Sequence, residues 1–293
     1  MGLSLVTDQR CLYVMLHAPR ERVEDLLMEH VAPVVAEIRD APELDSLFFV
    51  RFSEPSWQLR FRVLGRPAWI EGQIEPRMRA LAEELQQSHS IEGSEFATYD
   101  REYERYGGEE GMALAEKLFL LDSLAALDWI AAERRGGVSK SRREFSILLV
   151  DRLLDLTGFD RRQRLAFYRH GYAWATEMKA WGADEMAMLE ERFQSLRPGL
   201  EPLFFGDPTA DPAALWGGAE AARIGRRFLS DAAPVVRAIL EGHAAGRIRQ
   251  DLIYLFWSYA HMFSNRLGIE SAGEAVLRFF LHRLIEEHGE ARV

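Results

Sequence analysis

Over residues 12–103 the apolar positions switch between a two-residue and a 3.6-residue spacing, in the order strand, helix, strand, strand, helix, strand. Few arrangements satisfy that order. Residues 12–16 (LYVML) read as the first strand, and Pro19 ends it. Residues 21–38 carry Val23, Leu26, Leu27, Val31, Val34, Val35 and Ile38 at helical spacing, with Pro33 expected to kink or split the helix. Residues 47–52 and 59–64 read as two strands joined by the turn 53–56. Pro76 opens a helix to about Gln87, and residues 95–103 form a fourth strand. This is the order of a ferredoxin-like split βαβ unit.

The two-residue period disappears from Gly111 onward. Helices are expected at roughly 122–132, 142–157, 160–181, 184–196, 213–242 and from 247 toward the C-terminus. Breaks fall at Gly136-Gly137, Gly158, Gly182, Pro198-Gly199, 206–212, Gly246 and Gly268. The expected fold class is α+β: a ferredoxin-like βαββαβ unit over 1–110, packed against a helical half over 111–293 in one integrated domain, with a cleft between the halves. A chain of 293 residues can bury a core of that size.

The totals exclude several classes of function. A net charge of -10 argues against general nucleic-acid binding, which needs a basic footprint. The one cysteine, Cys11, permits neither an internal disulfide nor a cysteine metal cluster. No apolar run approaches the roughly 20 residues of a membrane span, and residues 1–10 lack a signal-peptide core, so a cytoplasmic protein is expected. Walker-type, dinucleotide and Gly-x-Ser-x-Gly motifs are absent, as are histidine spacings typical of metal sites. No metal, nucleotide or redox cofactor is expected.

Three separated stretches carry chemistry. In the strand QLRFRVL, alternation sends Leu59, Phe61 and Val63 toward the helices, and Gln58, Arg60 and Arg62 the other way. The two arginines stand roughly 6.5–7 Å apart. The preceding strand is expected to add Arg51, beside Phe49, to the arginine face. Arginine suits bidentate carboxylate recognition, although a solvated sheet face would carry arginines as well. The second stretch, TYDREYERYGG (98–108), holds Tyr99 and places Arg105 at a strand's end, with Gly107-Gly108 permitting a sharp turn. The third, HMFSNR (261–266), lies on an otherwise apolar helix. Trp257, His261 and Asn265 lie within reach of one broad face there, and Arg266 follows. A lone helical histidine is more often structural than catalytic. Beside converging arginines, an imidazole can move protons.

These stretches, with the helix ending in Leu121-Asp122-Ser123 between the second and third, resemble the thiopeptide-type bacteriocin biosynthesis domain. That is the C-terminal elimination domain of class I lantibiotic dehydratases. The resemblance spans nearly the whole chain in order, but over about 130–245 it is matched only by helical character. It implies one of two activities. One is elimination of glutamate from glutamylated serine or threonine of a leader-bearing precursor peptide, leaving dehydroalanine or dehydrobutyrine. The other is the formal [4+2] cycloaddition that builds the thiopeptide pyridine, with leader release. It further implies a separate glutamyl-tRNA-dependent glutamylating protein as partner. The family's functional arginines and histidine correspond to Arg60 or Arg62, Arg105 and His261. Gln58 stands where the family often has histidine, which weakens any role for that position. Tyr99, Trp257, Asn265, Arg266 and Arg51 are expected to line the substrate site. His261 is expected within one substrate width of the guanidinium groups. A non-catalytic module that binds the precursor peptide is the third reading.

Overall fold

The computed structural model describes residues 9–205 and 212–288. The expected breaks within 206–211, and the N-terminal residues 1–8, lie outside the described residues. The chain divides into two compact units, Met1–Leu127 and Asp128–Val293.

The first unit holds a four-stranded antiparallel sheet: β1 (Arg10–His17), β2 (Leu44–Phe52), β3 (Gln58–Gly65) and β4 (Gly93–Ala97), in the order β2-β3-β1-β4. Two helical segments, α1 (20–38) and α2 (67–87), complete the βαββαβ order. Strand β4 stops at Ala97, so the expected strand to residue 103 is replaced by an irregular segment. The reason lies in the residues: Thr98 to Gly108 lack the apolar alternation that would pay for burial of another ladder.

Both helices contain a π turn, at Leu26–Val31 and Ile70–Ile74, and each is followed two residues later by a proline, Pro33 and Pro76. A proline inside an α-helix lacks one donor and presses its ring on a preceding carbonyl. The wider turn displaces that carbonyl; the Ala32 N–H, for example, reaches back to the Leu27 carbonyl. Pro33 therefore neither splits nor ends its helix. The second helix begins at Pro67 rather than at Pro76.

The strand pairing separates the two sheet faces. Leu12 pairs with Val63, Val14 with Phe61 and Leu16 with Leu59, and all six are buried. This face receives Leu27, Val35, Ile70, Ile74 and Met78 of the helices, also buried. Tyr13 pairs with Arg62 and Met15 with Arg60 on the opposite face.

A helix α3 (Glu109–Arg134) follows, longer than the expected 122–132, and the division between units falls inside it. The second unit continues with α4 (Arg142–Asp155), α5 (Arg161–Lys179), α6 (Ala183–Phe205), α7 (Pro212–Trp216), α8 (Ala219–Ala244), α9 (Leu252–Arg266) and α10 (Ser271–His288). Contrary to the expected break, α6 runs through Pro198 and Pro202. Those residues are four apart, so both missing donors open the same side of the helix. Capping boxes start α4 (Ser141 with Glu144) and α5 (Asp160 with Gln163). The core of this unit is aromatic: Trp129 stacks on Phe145 at 3.9 Å, and Phe263 lies 6.1 Å from both Phe145 and Phe228. Among the described residues, no helix is long and apolar enough to cross a membrane.

Candidate functional site

The first unit holds the arginine group. Gln58 is buried; its amide nitrogen donates to the carbonyls of Glu54 (3.1 Å) and Ser56 (3.3 Å). That fixes its Oε1, which accepts from Arg60 Nε at 3.0 Å. The Arg60 guanidinium lies flat on Phe52, 3.4 Å from the ring centroid. Gln58 thus orients Arg60, a role that a comparison of residue types at this position does not disclose.

Arg62 sits in a different environment. Its guanidinium carbon is 4.0 Å from the Tyr13 ring centroid, 4.9 Å from Tyr99 and 5.4 Å from Phe48. Burial lowers its pKa from the usual arginine value, while the neighbouring tyrosines work the other way. Three aromatic faces hold this charge in place of a carboxylate. The first half of α3 adds to the box: Phe119 is 5.2 Å from Phe48, and Ser46 Oγ donates to the Glu116 carbonyl at 2.6 Å. Glu116 is itself buried and accepts from Arg101 Nε at 2.7 Å. Its pKa is raised because burial outweighs the hydrogen bonds from Arg101 and Tyr99.

Arg51 does not join this face. It pairs with Leu59 across the sheet, and its Nη2 donates to Glu24 of α1 at 3.1 Å, so it stands on the helix side. Phe49 pairs with Phe61 and turns the same way; Phe48, paired with Arg62, takes the place expected for it. Arg105 lies beyond the end of β4, in the turn before α3, with Nη1 3.3 Å from Glu102. Gly107 and Gly108 have φ of 82° and 109°, which side-chain-bearing residues rarely adopt, so the turn requires both.

The second unit holds the histidine group. His261 Nδ1 is 2.7 Å from Glu274 Oε2, and Glu274 Oε1 accepts from Arg278 Nη2 at 2.9 Å. Glu274 is 1% exposed and Arg278 4%. Burial opposes ionisation of Glu274, but the His261 hydrogen bond and the Arg278 charge outweigh it and hold its carboxyl below the usual range. An ionised carboxylate only accepts, so Nδ1 carries the proton and Nε2 presents its lone pair. Trp257 stacks on the imidazole at 5.7 Å and 12°, and Trp174 meets it edge-on at 5.5 Å. The His261 side chain keeps 26% of its surface exposed. Asn265 is half-buried, whereas Arg266 is wholly enclosed. Gly171 of α5 makes the packing possible: a Cβ there would lie 3.0 Å from Arg278 Cδ and 3.6 Å from Trp257 Cδ1.

Sequence reasoning passed over Glu274 and Arg278. Their spacing of four residues on an apolar helix is the signal that could have found them. Among the described residues, no group of three or more His, Cys, Asp or Glu is placed to hold a metal ion.

Comparison with known proteins agrees with this architecture. The subtilin biosynthesis protein SpaB of Bacillus subtilis is 26% identical over 156 residues, which are 53% of this chain and 15% of SpaB. The crystal structure of the tRNA-dependent lantibiotic dehydratase MibB from Microbispora sp. 107891 matches with a TM-score of 0.65 and 23% identity, covering 100% of this chain and 29% of MibB. The chain therefore spans less than a third of either. TsrL matches with a TM-score of 0.68 and 18% identity over 96% of both chains. The pyridine synthase TbtD from thiomuracin biosynthesis matches with a TM-score of 0.64 and 13% identity, covering 96% of this chain and 99% of TbtD. The family described as lantibiotic biosynthesis dehydratase, C-terminal, matches residues 12–285, and the chain belongs to that family.

Proposed function

We propose that the chain eliminates glutamate from glutamylated serine or threonine residues of a precursor peptide. The observation that carries this reading is the His261–Glu274 pair, which leaves a lone pair on Nε2 of a partly exposed imidazole. Nε2 takes the Cα proton. The electron pair forms the Cα–Cβ double bond, the Cβ–O bond breaks, and glutamate departs through its ester carboxylate. Negative charge develops on the peptide carbonyl oxygen and on the leaving carboxylate, and fixed cations lower the barrier for both. Arg60, oriented by Gln58, and Arg105 supply them in this reading, and Arg62 holds the surface between. The two groups act on one substrate. A separate glutamylating protein that uses glutamyl-tRNA prepares it.

The match to TbtD over nearly its whole length supports formal [4+2] cycloaddition as the second reading. Positioning alone would serve that reaction. The test is mass spectrometry after incubation with a glutamylated peptide and with an already dehydrated one. Loss of glutamate supports elimination. Ring formation with leader release would replace it with cycloaddition. No covalent change with either peptide would leave a peptide-binding module.

A further inference from the structure

Five rings from two helices form a continuous wall that ends at His261. Tyr254, Trp257 and His261 lie three and four residues apart on α9, so they share one face. His170 and Trp174 lie four apart on α5 and face them. Centroid distances along the wall are 5.9 Å from Tyr254 to His170, 5.0 Å from His170 to Trp257, 5.6 Å from Trp257 to Trp174 and 5.5 Å from Trp174 to His261. Trp257 is nearly buried, but Tyr254, His170 and Trp174 keep part of their surface open. Gly171, next to His170, lets α5 approach closely enough for the rings to meet.

We propose that this wall is a subsite for a flat, apolar side chain of the bound peptide, two positions from the residue that reacts at His261. The inference rests on the peptide-substrate reading above. Alternate side chains of an extended peptide repeat at roughly 6.5–7 Å on one face. The Trp257 ring is 5.7 Å from His261, and His170 and Tyr254 lie one further ring step along. A peptide whose reacting residue meets the imidazole therefore lays its second neighbour's side chain over Trp257, His170 and Tyr254. Open ring edges and faces favour an aromatic or similarly planar group there. His170 suits an apolar neighbour, because burial lowers its pKa and favours the neutral ring.

The test uses the full chain and two short peptides with alanine at the reacting position. One carries phenylalanine two residues away and the other glycine. Binding is followed by the intrinsic fluorescence of Trp174 and Trp257. The expected result is a Kd roughly tenfold lower for the phenylalanine peptide. That ratio should fall toward one in Tyr254→Ala and in His170→Ala, both at half-exposed positions. Equal binding of the two peptides by the unaltered protein, or an unchanged ratio in both variants, would overturn the subsite alone. Binding of neither peptide would overturn the peptide reading and the subsite with it.

Discussion

Replacing Glu274 with glutamine tests the proton-transfer half of the mechanism most directly. The change keeps the side-chain shape and removes one charge from the buried His261–Glu274–Arg278 chain. Two charge-assisted hydrogen bonds, at 2.7 and 2.9 Å, become neutral at the acceptor. Such bonds are worth about 1.5–3 kcal/mol each against about 0.5–1.5 for neutral ones, so about 2–3 kcal/mol of stability should be lost. Removing one partner of a buried pair outright costs about 3–5 kcal/mol, which sets the upper end. The rate effect is separate. An imidazolium forming at His261 loses its carboxylate, and a barrier raised by about 1.4–2.8 kcal/mol slows elimination about 10- to 100-fold. The assay is glutamate release from a saturating glutamylated peptide at 25 °C, beside a thermal melt. The expected pattern is a lower kcat with KM little changed. A wild-type kcat together with a lowered melting temperature would show that Glu274 only holds helices together, and the base would have to be sought elsewhere.

His261→Phe should keep the fold, since Trp257 and Trp174 already surround the ring, and glutamylated peptide should accumulate unconverted; continued glutamate release would remove His261 from the mechanism. Arg60→Ala and Arg105→Ala should cost about 2–4 kcal/mol in the barrier with unchanged circular dichroism, and wild-type rates in both would return them to solvated surface. Arg62→Ala should also lower stability, by about 1–3 kcal/mol, because three ring contacts are lost; a melting temperature equal to that of Arg60→Ala would refute the distinction. Acid should expose Glu274. Its folded pKa lies below the unfolded value near 4.5, so its contribution to stability is present above that pH and disappears as pH falls through the folded value. Urea unfolding between pH 3 and 7 should accordingly show a shallower acid limb for Glu274→Gln than for the unaltered protein.

Strand β3 was legible because its alternation has only one phase: Leu59, Phe61 and Val63 are apolar, and Gln58, Arg60 and Arg62 are not. Strand β2 offers no such phase. Leu47, Phe48 and Phe49 run together, and all three are buried. Which of them shares a face with Arg62 is decided by the pairing register, so Phe49 and Arg51 were placed one residue out of phase. The helical order of the second unit was readable from apolar spacing, but Gly217-Gly218 split the expected 213–242 helix and the segment after Gly246 became α9 and α10. Glu274 escaped notice because it follows Ser271-Ala272-Gly273 and reads as an ordinary acidic residue in a helix's first turn. Its link to His261 crosses the turn at Gly268, where linear spacing carries no information.

The π turns of α1 and α2 make these helices sensitive to length in a way their surfaces do not reveal. Each inserts the equivalent of one residue before a proline. Deleting a single residue from 26–31 would let the helix close into regular turns, yet it would rotate everything beyond by about 100°. Val34, Val35 and Ile38, now buried, would swing away from the sheet, and Pro33 would again press on a carbonyl. Substitutions on the outer side of these helices should be absorbed readily, whereas a deletion at the same positions should leave the sheet without its cover. Reading frame within the helix, more than residue identity, is what these two prolines guard.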